Sequence, residues 1–136
     1  MHPRSAPGPG VRIRVDLASG CSVGPGKVSL LEAIETEGSL TLAARRLKMS
    51  YRRAWNLLDD LNNSFEAPMV ETAVGGRSGG GARVTESGRE LIREFRELER
   101  GVARLAGKMQ RFAPRRGRRS AGGRTTSLPP RGRAVR

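Results

Sequence analysis

Apolar and polar residues alternate strictly along Val11, Arg12, Ile13, Arg14, Val15, Asp16 and Leu17, the period of two that a strand with one buried face requires. The segment ASGCSVGPG that follows reads as a turn closing before Lys27. Over residues 27–37 the period lengthens: Val28, Leu31 and Ile34, with Leu30 beside them, form the apolar stripe of a helix of about three turns. Gly38 ends it. Ser39 or Thr41 can cap a second, shorter helix that turns Leu40, Ala43, Ala44 and Leu47 inward and Arg45, Arg46 and Lys48 outward. Ser50 suits the cap of a third helix, in which Ala54, Leu58 and Leu61 recur at i, i+4 and i+7 and leave Tyr51, Arg52, Trp55, Asn56 and Asp59 on other faces. Two short helices across a tight turn make a helix-turn-helix.

After Pro68 two short apolar runs, MVETAV and ARVT, flank GGRSGGG and read as a hairpin with Arg77 at its tip. The same glycines invite comparison with a phosphate-binding loop, but the Lys-Ser/Thr ending is absent and a strand, rather than a helix, follows. Thr85 caps the last helix and Glu86 sits at its positive end. There Leu91, Phe95, Leu98, Val102, Leu105, Met109 and Phe112 are spaced by 4, 3, 4, 3, 4 and 3 residues, a heptad seam closed by Pro114. The first turns of this helix are expected to pack on their own domain. The distal part, about 85–112 being helical in all, reaches farther than so small a domain covers and is expected to pair with a second copy, with Leu91, Phe95, Leu98, Val102, Leu105 and Met109 as the pairing residues.

Composition sharpens this mainly-α pattern with its small β-hairpin wing. Among 136 residues, 26 Lys and Arg against 13 Asp and Glu leave a net charge of +13, which points to a polyanionic partner. The excess is uneven: residues 111–136 hold nine Arg and no acid. The Pro/Gly-rich leader 1–10 and the Arg/Gly/Pro-rich tail 113–136 are expected to be disordered, with the folded domain between them at 11–112. One cysteine, Cys21, allows no intrachain disulfide, and one histidine, His2, lies in the leader. The expected protein is therefore cytoplasmic, with no metal, no cofactor and no enzyme chemistry. No apolar run approaches the roughly 20 residues of a membrane span, so no membrane partner is expected either.

Chemistry concentrates in residues 38–58, which hold five basic side chains and no acidic one. A run of this kind is often only a solvated face. Here the charges gather at the turn and at the start of a Ser-capped helix, the arrangement in which a helix N-terminus meets base edges in the major groove of double-stranded DNA. Tyr51, Arg52 and Asn56 then take base-reading positions, since Arg matches guanine and Asn matches adenine bidentately. Arg53 suits a base or a phosphate, and Arg45, Arg46 and Lys48 suit phosphates. Trp55 has two readings: packing on the hairpin to orient the helix, or touching DNA sugars. Arg77, Ser78 and Arg83 would carry the hairpin to the minor groove, unless these loop charges serve only solubility.

The runs GSLTLAARRLKMSYRRAWNLLDDLN and MVETAVGGRSGGGARVTESGREL, within a resemblance that extends from about Val11 to Glu99, look like the N-terminal DNA-binding domain of the bacterial molybdate-responsive ModE-type regulators, a winged helix-turn-helix related to the LysR type. The SY..AW element, the glycine wing and the T..G start of the last helix together carry the resemblance. It implies that Ser50, Tyr51, Arg52, Arg53, Trp55 and Asn56 lie on a recognition helix, that residues 75–81 form the wing, and that the long helix pairs two copies. Full-length members continue into β-barrel modules that bind molybdate, whereas this sequence runs on into its Arg-rich tail. The expectation is a homodimeric transcription regulator on a palindromic operator that does not itself sense molybdate and that draws on a separate molybdate-binding sensor if it responds at all. The competing expectation is a non-specific, nucleoid-like or RNA-binding basic protein acting through the tail.

Overall fold

A computed structural model describes residues 10–18, 20–73 and 81–112. The alternation at the start holds residue by residue: Ile13, Val15 and Leu17 are half-buried while Arg12, Arg14 and Asp16 are exposed. The regular strand is short, β1 (Val15–Asp16), and it pairs antiparallel with β2 (Ser22–Val23), a strand inside the segment read as a plain turn. The turn is held by Gly20 N–H donating to the Leu17 carbonyl (2.9 Å) and Leu17 N–H donating to the Cys21 carbonyl (2.8 Å), with Gly20 at φ 83°. Two residues of pairing are too few to leave a periodic trace, so only the turn signal was visible in the sequence.

Helix α1 (Pro25–Glu37) starts two residues before Lys27 because a proline, with its fixed φ and no N–H to lose, is suited to the first turn of a helix. Gly38 closes it at φ 69°, its N–H bonded to the Ile34 carbonyl at 2.8 Å. Helix α2 (Leu40–Arg46) takes Ser39 and not Thr41 as its cap, and α3 (Tyr51–Ser64) takes Ser50. The wing strands β3 (Val70–Thr72) and β4 (Ala82–Val84) pair antiparallel, with Glu71 opposite Arg83. Helix α4 (Glu86–Ala106) is capped by Thr85 and gives way to a 3₁₀ segment, Gly107–Phe112.

The core is built from Leu30, Leu31 and Ile34 of α1, Ala43 and Ala44 of α2, Ala54, Leu58 and Leu61 of α3, and Met69, Val70, Ala82 and Val84 of the wing base. A second cluster joins Val28 and Phe95 to Cys21 and Val23, so the N-terminal hairpin lies against the junction of α1 and α4. Arg96 fastens the same two helices from outside the core. It donates to Glu32 and to Ser29 Oγ on α1 (the latter at 3.2 Å) and pairs with Glu99 at 2.6 Å. The hydrogen bond to Glu32, with that to Glu99 next, holds the guanidinium pKa above its already high ordinary value.

Two expectations about the last helix are modified. Its α-helical part ends at Ala106 and not near Phe112, because Gly107 weakens helix propagation and the chain tightens to three residues per turn. Met109 and Phe112 therefore leave the heptad register. Phe95, assigned to pairing between copies, is 3% exposed and belongs to this chain's own core, as Leu91 largely does. Among the described residues no helix is long and apolar enough to cross a membrane.

Candidate nucleic-acid interface

The connection from α2 to α3 fixes how the basic residues are presented. Met49 N–H donates to the Ala44 carbonyl (3.0 Å) and Lys48 N–H to the Arg45 carbonyl (3.1 Å), the paired bonds of a Schellman motif. Such a motif needs a left-handed residue, and here Lys48 fills that place at φ 56° where glycine is the usual occupant. Ser50 Oγ then accepts from Arg53 N–H at 3.1 Å and starts α3 at once. Ala54, Leu58 and Leu61 anchor the inner side of α3, so Tyr51, Arg52, Arg53, Trp55 and Asn56 all face outward and exposed.

The basic side chains divide into two groups. Arg46 pairs with Glu37 (2.9 Å) and Arg83 pairs with its cross-strand neighbour Glu71 (2.9 Å). The Arg83–Glu71 pair is largely solvent-exposed and the Arg46–Glu37 pair partly so, so both are worth little, which leaves these arginines exchangeable toward a phosphate. Among the described residues Arg45, Lys48, Arg52 and Arg53 have no carboxylate within ion-pair distance. Four uncompensated cations thus gather on one turn and the first turn of the helix behind it. Tyr51 and Trp55, one turn apart on α3, remain 54% and 47% exposed beside them. The hairpin tip, with Arg77 and Ser78, lies outside the described residues.

The base of the wing is held at three points. Ala82 N–H donates to the Gly38 carbonyl (2.9 Å), tying β4 to the end of α1. Thr85 donates through its hydroxyl to the Pro68 carbonyl (2.6 Å) and through N–H to the Met69 carbonyl (3.0 Å), and the same hydroxyl accepts from Gly88 N–H. Gly88 is there because a Cβ would stand 2.4 Å from the Met69 oxygen and 2.6 Å from Val84 Cγ1. The third tie is Asn62 of α3, whose Oδ1 accepts from Met69 N–H (2.9 Å) and Val70 N–H (3.2 Å) while Nδ2 donates to the Val70 carbonyl (3.0 Å). Asn62 and Arg96 were not picked out from the sequence. Neither belongs to a pattern, and each acts on a partner far away along the chain.

On the distal part of α4, Leu98 and Leu105 are 44% and 64% exposed and Val102 is half-buried, while Met109 in the 3₁₀ segment beyond is 66% exposed. Glu94, Glu97, Gly101 and Arg104 border the shallow apolar groove that Leu98, Val102 and Leu105 line.

Residues 26–89 match the bacterial regulatory helix-turn-helix proteins of the lysR family. Among curated relatives, the chain is 47% identical over 88 residues to the molybdenum-pterin-binding protein MopA of Rhodobacter capsulatus, covering 65% of this chain and 33% of that one. It is 40% identical over 88 residues to the molybdenum transport protein ModE of Azotobacter vinelandii, with the same coverage. Against the DNA-binding transcriptional dual regulator ModE of Escherichia coli K12 it is 39% identical over 71 residues, 52% of this chain and 27% of that one. The chain therefore spans about a third of the length of the relatives it matches. Helix order and hairpin position agree with these matches: the described residues fold as a winged helix-turn-helix, and residues 26–89 are similar in sequence to the lysR-type regulatory helix-turn-helix.

Proposed function

We propose that this chain is a sequence-specific DNA-binding transcription regulator that acts as a homodimer. The observation that carries the reading is the set of four cations without carboxylate partners, Arg45, Lys48, Arg52 and Arg53, at the turn and the capped start of α3. Placed in a major groove, α3 would offer Arg52 and Asn56 to base edges and Arg45 and Lys48 to the flanking phosphates. Arg46 and Arg83 would join them by exchanging Glu37 and Glu71 for phosphate oxygens. Distal α4 residues Leu98, Val102 and Leu105 would pair two copies, which on a two-fold axis calls for a palindromic site with half-sites one or two helical turns apart. Two of the relatives are named for molybdenum transport and molybdenum-pterin binding, so genes serving molybdenum metabolism are the first regulon to test.

Selection of duplexes from a random-sequence pool by the full chain, followed by footprinting, tests this reading. A palindromic consensus is expected. Arg52→Ala or Asn56→Ala should then each cost about 1–3 kcal/mol of binding and relax preference at one base position. Protection without any sequence preference would refute the specific regulator.

A further inference from the structure

The three ties at the wing base differ in what they connect. Those through Gly38 and Thr85 join the hairpin to α1 and to the start of α4. By contrast, the carboxamide of Asn62 links the hairpin, among the described residues, to α3, the helix that carries the exposed basic and aromatic residues. It behaves as a one-residue substitute for a neighbouring strand, satisfying the Val70 N–H and C=O together. With Met69 N–H, that makes three hydrogen bonds from one half-buried side chain. Asn62 also follows Trp55 by seven residues, two helical turns on the same face, so the wing leaves α3 on the side of Trp55 and Asp59. We infer that Asn62 is a positioning residue that sets the direction of the wing relative to the recognition helix, so that one duplex can be held by both at once.

This inference rests on the DNA-binding reading and makes a narrower claim within it. The apolar packing of Leu58, Leu61, Met69 and Val70 remains when the carboxamide is removed, so the fold has support that does not depend on Asn62. What is lost is angular definition of β3, and loss of a positioning network typically modulates coupling by a modest factor.

The experiment is a double-mutant cycle in the full chain, read as affinity for the duplex that the unmutated chain enriches from a random pool. One arm is Asn62→Ala. The other is Arg77→Ala with Ser78→Ala, which strips polar groups from the wing tip. Asn62→Ala is expected to weaken binding about tenfold when the tip is intact and hardly at all when the tip is stripped. Hydroxyl-radical footprints should lose the flanking protection and keep the central one. Asn62→Asp keeps the acceptor for both N–H groups but sets a second acceptor against the Val70 carbonyl, and it should show the same tip-dependent loss even if the alanine variant folds poorly. Equal losses in both tip backgrounds would overturn the inference while leaving DNA binding standing. A stripped tip that costs no affinity in the unmutated background would overturn it too, and would remove the wing from the proposed interface.

Discussion

Lys48 bears a backbone cost at a position where a phosphate contact is proposed. A left-handed residue with a Cβ costs about 1–2 kcal/mol, and at φ 56° Lys48 bears that cost in the one place where the Schellman turn requires it. Its exposed ammonium lies beside Arg45 and the start of α3, where a phosphate contact is proposed. Lys48→Gly should therefore raise stability by about 0.5–1 kcal/mol in denaturant unfolding, part of the relief being offset by the greater freedom of glycine in the unfolded chain. The same variant should bind duplexes more weakly, with a salt dependence shallower by about 1. Unchanged affinity would mean that Lys48 is there for the turn alone. The sequence placed Lys48 on the outer face correctly. Its backbone conformation was hidden, because the chain around it offers no glycine to mark a left-handed position.

At the scale of elements, the docking of α4 onto the wing base depends on the pair Thr85 and Gly88. The cap was legible from Thr85 followed by Glu86, and the T..G spacing was part of the family resemblance. The role of the glycine was not, since only the fold brings the Met69 carbonyl under it. Gly88→Ala should cost about 1–3 kcal/mol, because a Cβ at 2.4 Å from a backbone oxygen forces helix and turn apart. Thermal unfolding of the variant checks this, and a neutral result would show that α4 can slide without penalty. Glu86 acts at the same end: hydrogen bonds from Arg89 and then Arg93 hold its carboxyl below the ordinary carboxylate range. A depressed carboxyl stabilises the folded state above its unfolded pKa and stops doing so as pH falls through the folded value. Loosening at the start of α4, read by hydrogen exchange, should therefore set in below about pH 4, and Glu86→Gln should remove that part of the pH dependence. Helices and caps were readable because their signals are local. The pairing of β1 with β2, the clasp of Arg96 on Glu32 and the carboxamide tie of Asn62 were not, because each is defined by a partner that the fold supplies.

Across the whole molecule, the heptad spacing was visible from Leu91 to Phe112, but it serves two purposes that the sequence does not separate. Phe95 fills the chain's own second core cluster, while Leu98 and Leu105 stay exposed around a shallow groove. A face that is apolar and uncovered only beyond Phe95 suits a second copy of the same helix packed along that stretch. Leu98→Asp should then yield monomers by sedimentation, at almost no cost to thermal stability of the protomer, since the side chain is 44% exposed in the single chain. Because a dimer doubles the number of cations facing one duplex, the monomeric variant should also bind with a much shallower salt slope. The tail has to be separated from this effect. Residues 113–136 hold eight Arg, and if every one met a phosphate, deleting them would lower the slope by roughly 7. Truncation at residue 112 should therefore weaken binding to all duplexes alike and preserve the ranking of sequences, which competition assays against scrambled duplexes measure. If ranking vanishes with the tail, the basic segment and not α3 is the principal DNA-binding element. If ranking survives truncation but is lost in Leu98→Asp, selectivity resides in two recognition helices held at a fixed distance by α4.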